Sequence, residues 1–245
     1  MSLTQLRQDL HKLKNPVKAR LLQRFFKTGK GEYAQGDKFL GIMVPKSRAL
    51  IKKYWQNLSL KEVDELIKSP WHEERLIGLL ILVKWLDVLG KDSSASDALG
   101  LRMTPRDIYK FYLNHTKYIN NWDLVDLTAP KIVGACLRNK NKSVLLKLAK
   151  SKNLWERRIA VLSTFDFVYY GDPAWTLKIS RLLINDKHDL IHKAAGWMLR
   201  EVGKRCSKTL LLKFLDQNAH RMPRTMLRYS IERLDQKLKL KYMAK

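Results

Sequence analysis

Apolar side chains return every three or four residues along nearly the whole chain, and this spacing limits the possible folds severely. Leu3, Leu6, Leu10 and Leu13 make one stripe. Val17, Leu21, Leu22 and Phe25 make a second, behind a Pro16 suited to a first helical turn. Leu50, Ile51, Tyr54 and Trp55 follow Pro45, and the pattern continues through Val144, Leu145, Leu148 and Ala149 to Leu211, Phe214 and Leu215. Strand alternation is almost missing, and no Asn-Gly or Asp-Gly turn separates apolar runs. The chain is expected to be all-α.

The helices also repeat. Ser69-Pro-Trp-His-Glu-Glu-Arg-Leu-Ile-Gly-Leu-Leu80 and Ser151-Lys-Asn-Leu-Trp-Glu-Arg-Arg-Ile-Ala-Val-Leu162 share a Glu-Arg pair before an apolar run, at an offset of 82 residues. Gly78 and Ala160 occupy the same place, where a small side chain lets two helices approach closely. A third copy, Asp186 to Trp197, puts Ala195 there at an offset of 35. A unit of roughly 40 residues is the period of HEAT-type helix pairs. The expected architecture is a right-handed superhelical stack of antiparallel pairs, a curved solenoid with a basic concave face, forming one domain over 1–245. Chance likeness between amphipathic helices is the other explanation of the repeat.

Charge narrows the partner. The 48 Lys and Arg against 23 Asp and Glu give a net +25. A disordered polycation is excluded by 7 Trp, 9 Tyr and 7 Phe in a chain that is 45% hydrophobic. A folded body with this charge implies a polyanion, nucleic acid first and an anionic membrane surface second. The basic residues cluster at Lys46, Arg48, Lys52 and Lys53, at Arg138, Lys140 and Lys142, and at Lys204, Arg205 and Lys208. These fall near expected helix ends, where phosphates can be met by side chains and amides together, although each cluster alone is also what a solvated surface looks like. The longest apolar stretch, Leu76 to Val83, is far short of the ~18 residues of a membrane span. With charge by residue 7 and only two cysteines, an intracellular protein is expected.

Three segments place aromatic and charged residues together. In Tyr118-Ile-Asn-Asn-Trp-Asp-Leu-Val-Asp-Leu-Thr-Ala-Pro130, Asn120 or Asn121 can cap a helix beginning at Trp122. Trp122 and Asp126 then share a face, an arrangement suited to holding a developing cation. Ordinary core use of the tryptophan is the alternative, with Asp123 a first-turn dipole residue. In the second and third segments, Trp155 pairs with Arg158 and Trp197 with Arg200. Such pairs either bind phosphate and sugar or are core tryptophans with snorkelling arginines.

Taken in order, these motifs resemble the AlkD-like DNA alkylation repair proteins, which are HEAT-like-repeat DNA glycosylases. The resemblance rests on Phe39-Leu-Gly-Ile-Met-Val-Pro-Lys-Ser-Arg-Ala-Leu50, Asn121-Trp-Asp-Leu-Val-Asp126 with Pro130, Trp155-Glu-Arg-Arg-Ile-Ala160, and Ala195-Gly-Trp-Met-Leu-Arg-Glu201. It spans roughly residues 15 to 235. It implies hydrolysis of the N-glycosidic bond of N3- and N7-alkylated purines, such as 3-methyladenine and 7-methylguanine, in duplex DNA. Asp126 would then be the catalytic carboxylate, with Trp122 and Trp197 flanking the deoxyribose and Arg158 on the backbone beside the lesion. Trp155 would be structural. Arg200, Lys193, Lys204, Lys46 and Arg48 complete the expected DNA contacts.

A cationic purine leaves as a neutral base, so the second carboxyl of ordinary glycoside hydrolases is not required. The basic field is expected to keep Asp126 ionised. No cofactor is expected, since neither GxxxxGK[ST] nor a GxGxxG after a strand occurs. No metal is expected either: His188-Asp-Leu-Ile-His192 puts two histidines on one face, but a third ligand is lacking. Cys136 and Cys206 read as buried small hydrophobes. The further expectations are a monomer, a cytoplasmic, nucleoid-associated location and no membrane partner. The competing function is a non-catalytic HEAT-repeat scaffold for DNA or RNA.

Overall fold

The computed structural model describes residues 2–92 and 94–244, and among them no β-strand occurs. Its helices are α1 (Leu3–Lys12), α2 (Pro16–Phe25), α3 (Val44–Tyr54), α4 (Leu60–Ile67), α5 (His72–Leu89), α6 (Ala95–Ala98), α7 (Pro105–Asn114) and α8 (Trp122–Ala129). They continue as α9 (Ala135–Leu137), α10 (Ser143–Ala149), α11 (Leu154–Tyr169), α12 (Ala174–Leu182), α13 (Asp189–Arg205), α14 (Lys208–Asn218), α15 (Arg224–Ile231) and α16 (Gln236–Met243). The chain divides into two compact units, Met1–Thr128 and Ala129–Lys245.

Local chemistry sets the helix starts. Capping boxes pair Ser2 with Gln5, Ser59 with Glu62 and Thr104 with Asp107, so the otherwise unpartnered first amides are bonded. Asn15 caps α2 through the Lys18 amide at 2.9 Å, and Pro16 takes the first position, where its missing N–H costs nothing. Pro130 has the opposite effect. Lying beyond α8 in a continuous helical run, it cannot donate to the preceding turn, and the helix widens to a π turn over Pro130–Gly134 before α9.

The repeat is visible in atomic detail. α5, α11 and α13 begin at His72, Leu154 and Asp189, at the offsets seen in the sequence. In each, the fourth residue reaches back six positions to a backbone carbonyl. Arg75 donates to Ser69 at 2.9 Å and Arg157 to Ser151 at 3.0 Å, and His192 Nε2 lies 2.6 Å from the Asp186 carbonyl. Gly78 sits where a Cβ would come within 2.9 Å of Ile67 Cγ1 and 3.0 Å of Leu66 Cβ, so α4 lies directly against α5. Ala160 and Ala195 are fully buried at the matching places. In the second unit, α13 packs against α11, α14 and α15.

The α2 stripe divides. Val17, Leu21 and Phe25 are 60%, 59% and 63% exposed, while Leu22 is half-buried against the cluster of Ala19, Phe26 and Phe39. Periodicity identified an apolar face, and only part of it packs inward. The stripe of α1 behaves as expected, with Leu3, Leu6 and Leu10 buried.

Candidate active site

The segment carrying Trp122 and Asp126 is fixed by its first residues. Asn121, fully buried, accepts the Trp122 amide on Oδ1 at 2.8 Å, so α8 starts where an Asn cap was expected. Leu124 and Val125 turn into the core at 0% exposure, while Trp122 and Asp126, one turn apart, are both half-buried. Thr128 Oγ1 and Tyr112 Oη lie 2.9 Å apart beneath them, and burial together with the Asp126 charge, opposed by the Thr128 bond, raises the Tyr112 pKa. The Asp126 charge is thus felt by the core under the helix.

Trp122 belongs to an aromatic stack. Its ring lies 5.1 Å from Phe26 in a stacked arrangement, and Phe26 stacks on Phe39 at 5.0 Å. Phe25 meets Trp122 edge-on at 5.9 Å. The indole therefore has its orientation set by ring packing.

Asp123 is not merely a dipole residue. Its Oδ2 lies 2.8 Å from His72 Nε2, while His72 Nδ1 lies 3.0 Å from Asp37 Oδ2, and Arg75 pairs with the other oxygen of Asp37. All four side chains are buried. Burial opposes the charged imidazole, but the pull of Asp123 and the hydrogen bonds to both carboxylates raise its pKa to about 9. Burial likewise opposes ionisation of Asp37, and the bond to His72 with the charge of Arg75 overcomes it and lowers its pKa. Next in sequence, Glu73 accepts the amides of Leu40, Gly41 and Ile42 at 2.9, 2.8 and 3.1 Å. Gly41 has φ +84°, and a Cβ there would lie 2.1 Å from the Asn15 carbonyl oxygen, so only glycine fits this turn. Sequence reasoning missed this network because its partners stand 35 and 51 residues from His72. Its one visible signal was four charged or titratable residues, His72 to Arg75, opening the otherwise largely apolar helix α5.

The remaining expected residues divide between the units. Lys46 and Arg48 project, exposed, from the start of α3. In the second unit Lys204 is exposed near the end of α13. Lys193 is paired with Asp189 at 2.8 Å, and Arg200 lies between Glu232 and Glu201. Trp197 is half-buried, with Phe165 tilted against it at 6.2 Å. Arg158 is only 5% exposed and donates to the Leu190 carbonyl at 2.5 Å, and Trp155 is buried behind the α11 cap. Arg138, in the middle basic cluster, is held bidentate by Asp166 at 2.8 Å and lies over the Tyr170 ring. Positive charge here is therefore partly neutralised locally, more than a residue count indicates.

Other residues are used structurally. His188 caps α13 through the Leu190 amide at 3.2 Å, and His192 is on a backbone carbonyl. Among the described residues no group of three His, Cys, Asp or Glu could hold a metal ion. Cys136 and Cys206 are half-buried, and burial raises both thiol pKa values. Among the described residues no helix is long and apolar enough to cross a membrane.

Comparison with known proteins bears on the family and the fold. The family profile of DNA alkylation repair enzymes matches residues 6–234. A solved structure of a predicted DNA alkylation repair enzyme from Enterococcus faecalis superposes with a TM-score of 0.66, covering 91% of this chain and 97% of that one. At 18% identity this likeness concerns the fold. No curated protein matches the chain.

Proposed function

The chain belongs to the DNA alkylation repair enzyme family, and from that premise we propose that it serves repair of alkylated DNA as a monofunctional glycosylase. Its substrates on this reading are duplexes carrying N3- or N7-alkylated purines. The observation that carries the proposal is the placement of Trp122 and Asp126 one turn apart on α8, both half-buried, with Trp122 stacked on Phe26 and Asp123 bonded to His72.

An N3- or N7-alkylated purine is already a cation. When the C1′–N bond breaks, its electron pair goes to the base, which departs neutral and needs no proton. The sugar is left as an oxocarbenium-like cation. Asp126 stabilises that charge and accepts a proton from the water whose oxygen bonds to C1′. The indole of Trp122 offers its negative face to the same charge, and Trp197 is proposed to flank the deoxyribose. Exposed Lys46, Arg48 and Lys204 are assigned to phosphates. Lys193 and Arg200 are assigned to phosphates that replace their present carboxylate partners, and Arg158 to the backbone beside the lesion, its position set by Leu190. We take residues 1–245 as one monomeric repair domain working in the cytoplasm on nucleoid DNA.

The test is release of 7-methylguanine and 3-methyladenine from methylated duplex by the wild type, Asp126→Asn and Trp122→Ala. Asp126→Asn is expected to lower single-turnover release by about 10²–10³-fold, as loss of a transition-state charge contact does. Release at the wild-type rate by Asp126→Asn would remove that residue from the mechanism. No release by the wild type would favour a non-catalytic DNA-binding scaffold. Duplex affinity should fall with salt at a log–log slope near roughly −4.5 if about five phosphates are neutralised.

A further inference from the structure

We propose that His72 is a positioning residue for the Trp122–Asp126 helix: as an imidazolium held between Asp37 and Asp123, it fixes where α8 begins. The proposal rests on the reading of Trp122 and Asp126 as the reacting pair, and it assigns a task to a buried titratable group that the proposed chemistry does not otherwise use.

The geometry favours a doubly protonated ring. A neutral imidazole has one N–H donor and one acceptor nitrogen. Here both ring nitrogens face carboxylate oxygens, at 3.0 Å from Asp37 and 2.8 Å from Asp123. An ionised carboxylate cannot donate, so against two of them each contact is a hydrogen bond only if each nitrogen carries a proton. The charged groups around the ring are Asp37 from the loop before α3, Arg75 and Glu73 from α5, and Asp123 from α8. Glu73 is turned away onto the backbone amides of Leu40, Gly41 and Ile42. The pairs Asp37 with Arg75 and Asp123 with His72 then sum to zero charge in a site where His72 is 2% exposed. Loss of the imidazole proton would leave one uncompensated negative charge buried and set a nitrogen lone pair against a carboxylate.

The consequence for α8 follows from what else touches the ring. His72 stacks on Phe39 at 4.4 Å and lies 5.2 Å from Phe26, the ring on which Trp122 is stacked. Trp122 is therefore tied to His72 twice, through the backbone of its neighbour Asp123 and through the Phe26 ring. The histidine is itself anchored, its amide donating to the Lys38 carbonyl at 2.8 Å. If the imidazolium clamp is released, Asp123 has no buried cation, and the first turn of α8 is free to shift. An ångström-scale shift is enough to spoil a reacting geometry.

The experiment compares wild type with His72→Gln, which can donate to one carboxylate but carries no charge. The first readout is the ring ¹⁵N spectrum of the wild type. Two protonated nitrogens on His72 at neutral pH, titrating near pH 9, are expected; a neutral ring at pH 7 overturns the proposal. The second readout is near-UV circular dichroism, with Trp122→Phe used to isolate the Trp122 band. His72→Gln is expected to lose that band while its far-UV spectrum stays native. The third is kinetic. His72→Gln should release 7-methylguanine from methylated duplex at least about tenfold more slowly in single turnover, with duplex Kd within about twofold of wild type. A folded His72→Gln protein with both the wild-type band and the wild-type rate overturns the proposal. Should His72→Gln fail to fold, the wild-type ¹⁵N spectrum still decides the protonation state on which the clamp depends. Should the wild type release no base, the glycosylase reading falls, and the spectrum and the Trp122 band still judge the clamp on their own.

Discussion

The starts of α5 and α11 are two copies of one design that diverged in what they bury. Both begin at the same repeat position, and both send the fourth-residue arginine to the carbonyl six residues back and to an aspartate, Asp37 for Arg75 and Asp186 for Arg157. Around that shared arginine the first unit has added His72 and Glu73, both buried and both spent on other segments. At the same positions α11 has Leu154 and Trp155. The first copy ties distant pieces of chain together with charge; the second packs them with apolar surface. Buried charge is justified where position matters more than stability, and the first copy is the one next to Trp122.

The largest expected difference comes from removing each arginine. The Arg75 and Asp37 side chains are 5% and 0% exposed, whereas Arg157 is 18% exposed against 5% for Asp186. Arg75→Met leaves two buried carboxylates with one cation, and its cost in urea unfolding should be roughly 3–5 kcal/mol. Arg157→Met loses charge-assisted hydrogen bonds near water and should cost about 1.5–3 kcal/mol. Equal losses would mean that the two copies are energetically the same and that the buried cluster adds nothing to the first.

The starts of α5 and of α13, the third copy, respond to pH with opposite sign. His72 has its folded pKa raised from 6.5 to about 9, so its contribution is complete below pH 6.5 and disappears as pH rises through 9. That is roughly 3 kcal/mol for a buried group. In the second unit His188 is shifted the other way, burial lowering its pKa. Its Nδ1 must stay unprotonated to accept the Leu190 amide, so the cap of α13 is intact above pH 6.5 and weakens as pH falls below it. Hydrogen exchange resolved by residue should show α5 and α8 amides losing protection between pH 6.5 and 9. The first turn of α13 should lose protection on acidification. Alkaline loss confined to the second unit would contradict the assignment of His72.

What could be read from the sequence follows the range of the interactions. Helix starts were legible because their causes are local: the Asn121 cap, Pro16 at a first position, and the one-turn spacing of Trp122 and Asp126. The repeat was legible because a Glu-Arg pair and a small residue recur at fixed offsets, and the arginine proved to make the same bond in both copies. The α2 stripe is only partly buried, through Leu22, because a pattern shows that a face is apolar, not how much of it another segment covers. His72 could not be found because Asp37 and Asp123 come from separate segments, and nothing at short range marks the three as partners. The burial of Arg158, expected on the DNA backbone, depends on α13, more than 30 residues further on.

The smallest expected effect tests whether the two copies are geometrically alike. Gly78 and Ala160 hold the same repeat position. A methyl added at Gly78 meets Ile67 Cγ1 at 2.9 Å and Leu66 Cβ at 3.0 Å, neither of them the loose end of a side chain. Overpacking of this kind costs roughly 1–3 kcal/mol, while the gain in helix propensity from glycine to alanine offsets about 1 kcal/mol. Gly78→Ala should therefore destabilise by about 1 kcal/mol net. Ala160→Gly removes a fully buried methyl and loses the same propensity, a loss of about 1–2 kcal/mol. If Gly78→Ala instead stabilises the protein, α4 and α5 have room to separate, and the close approach inferred from the repeat is a feature of α11 alone.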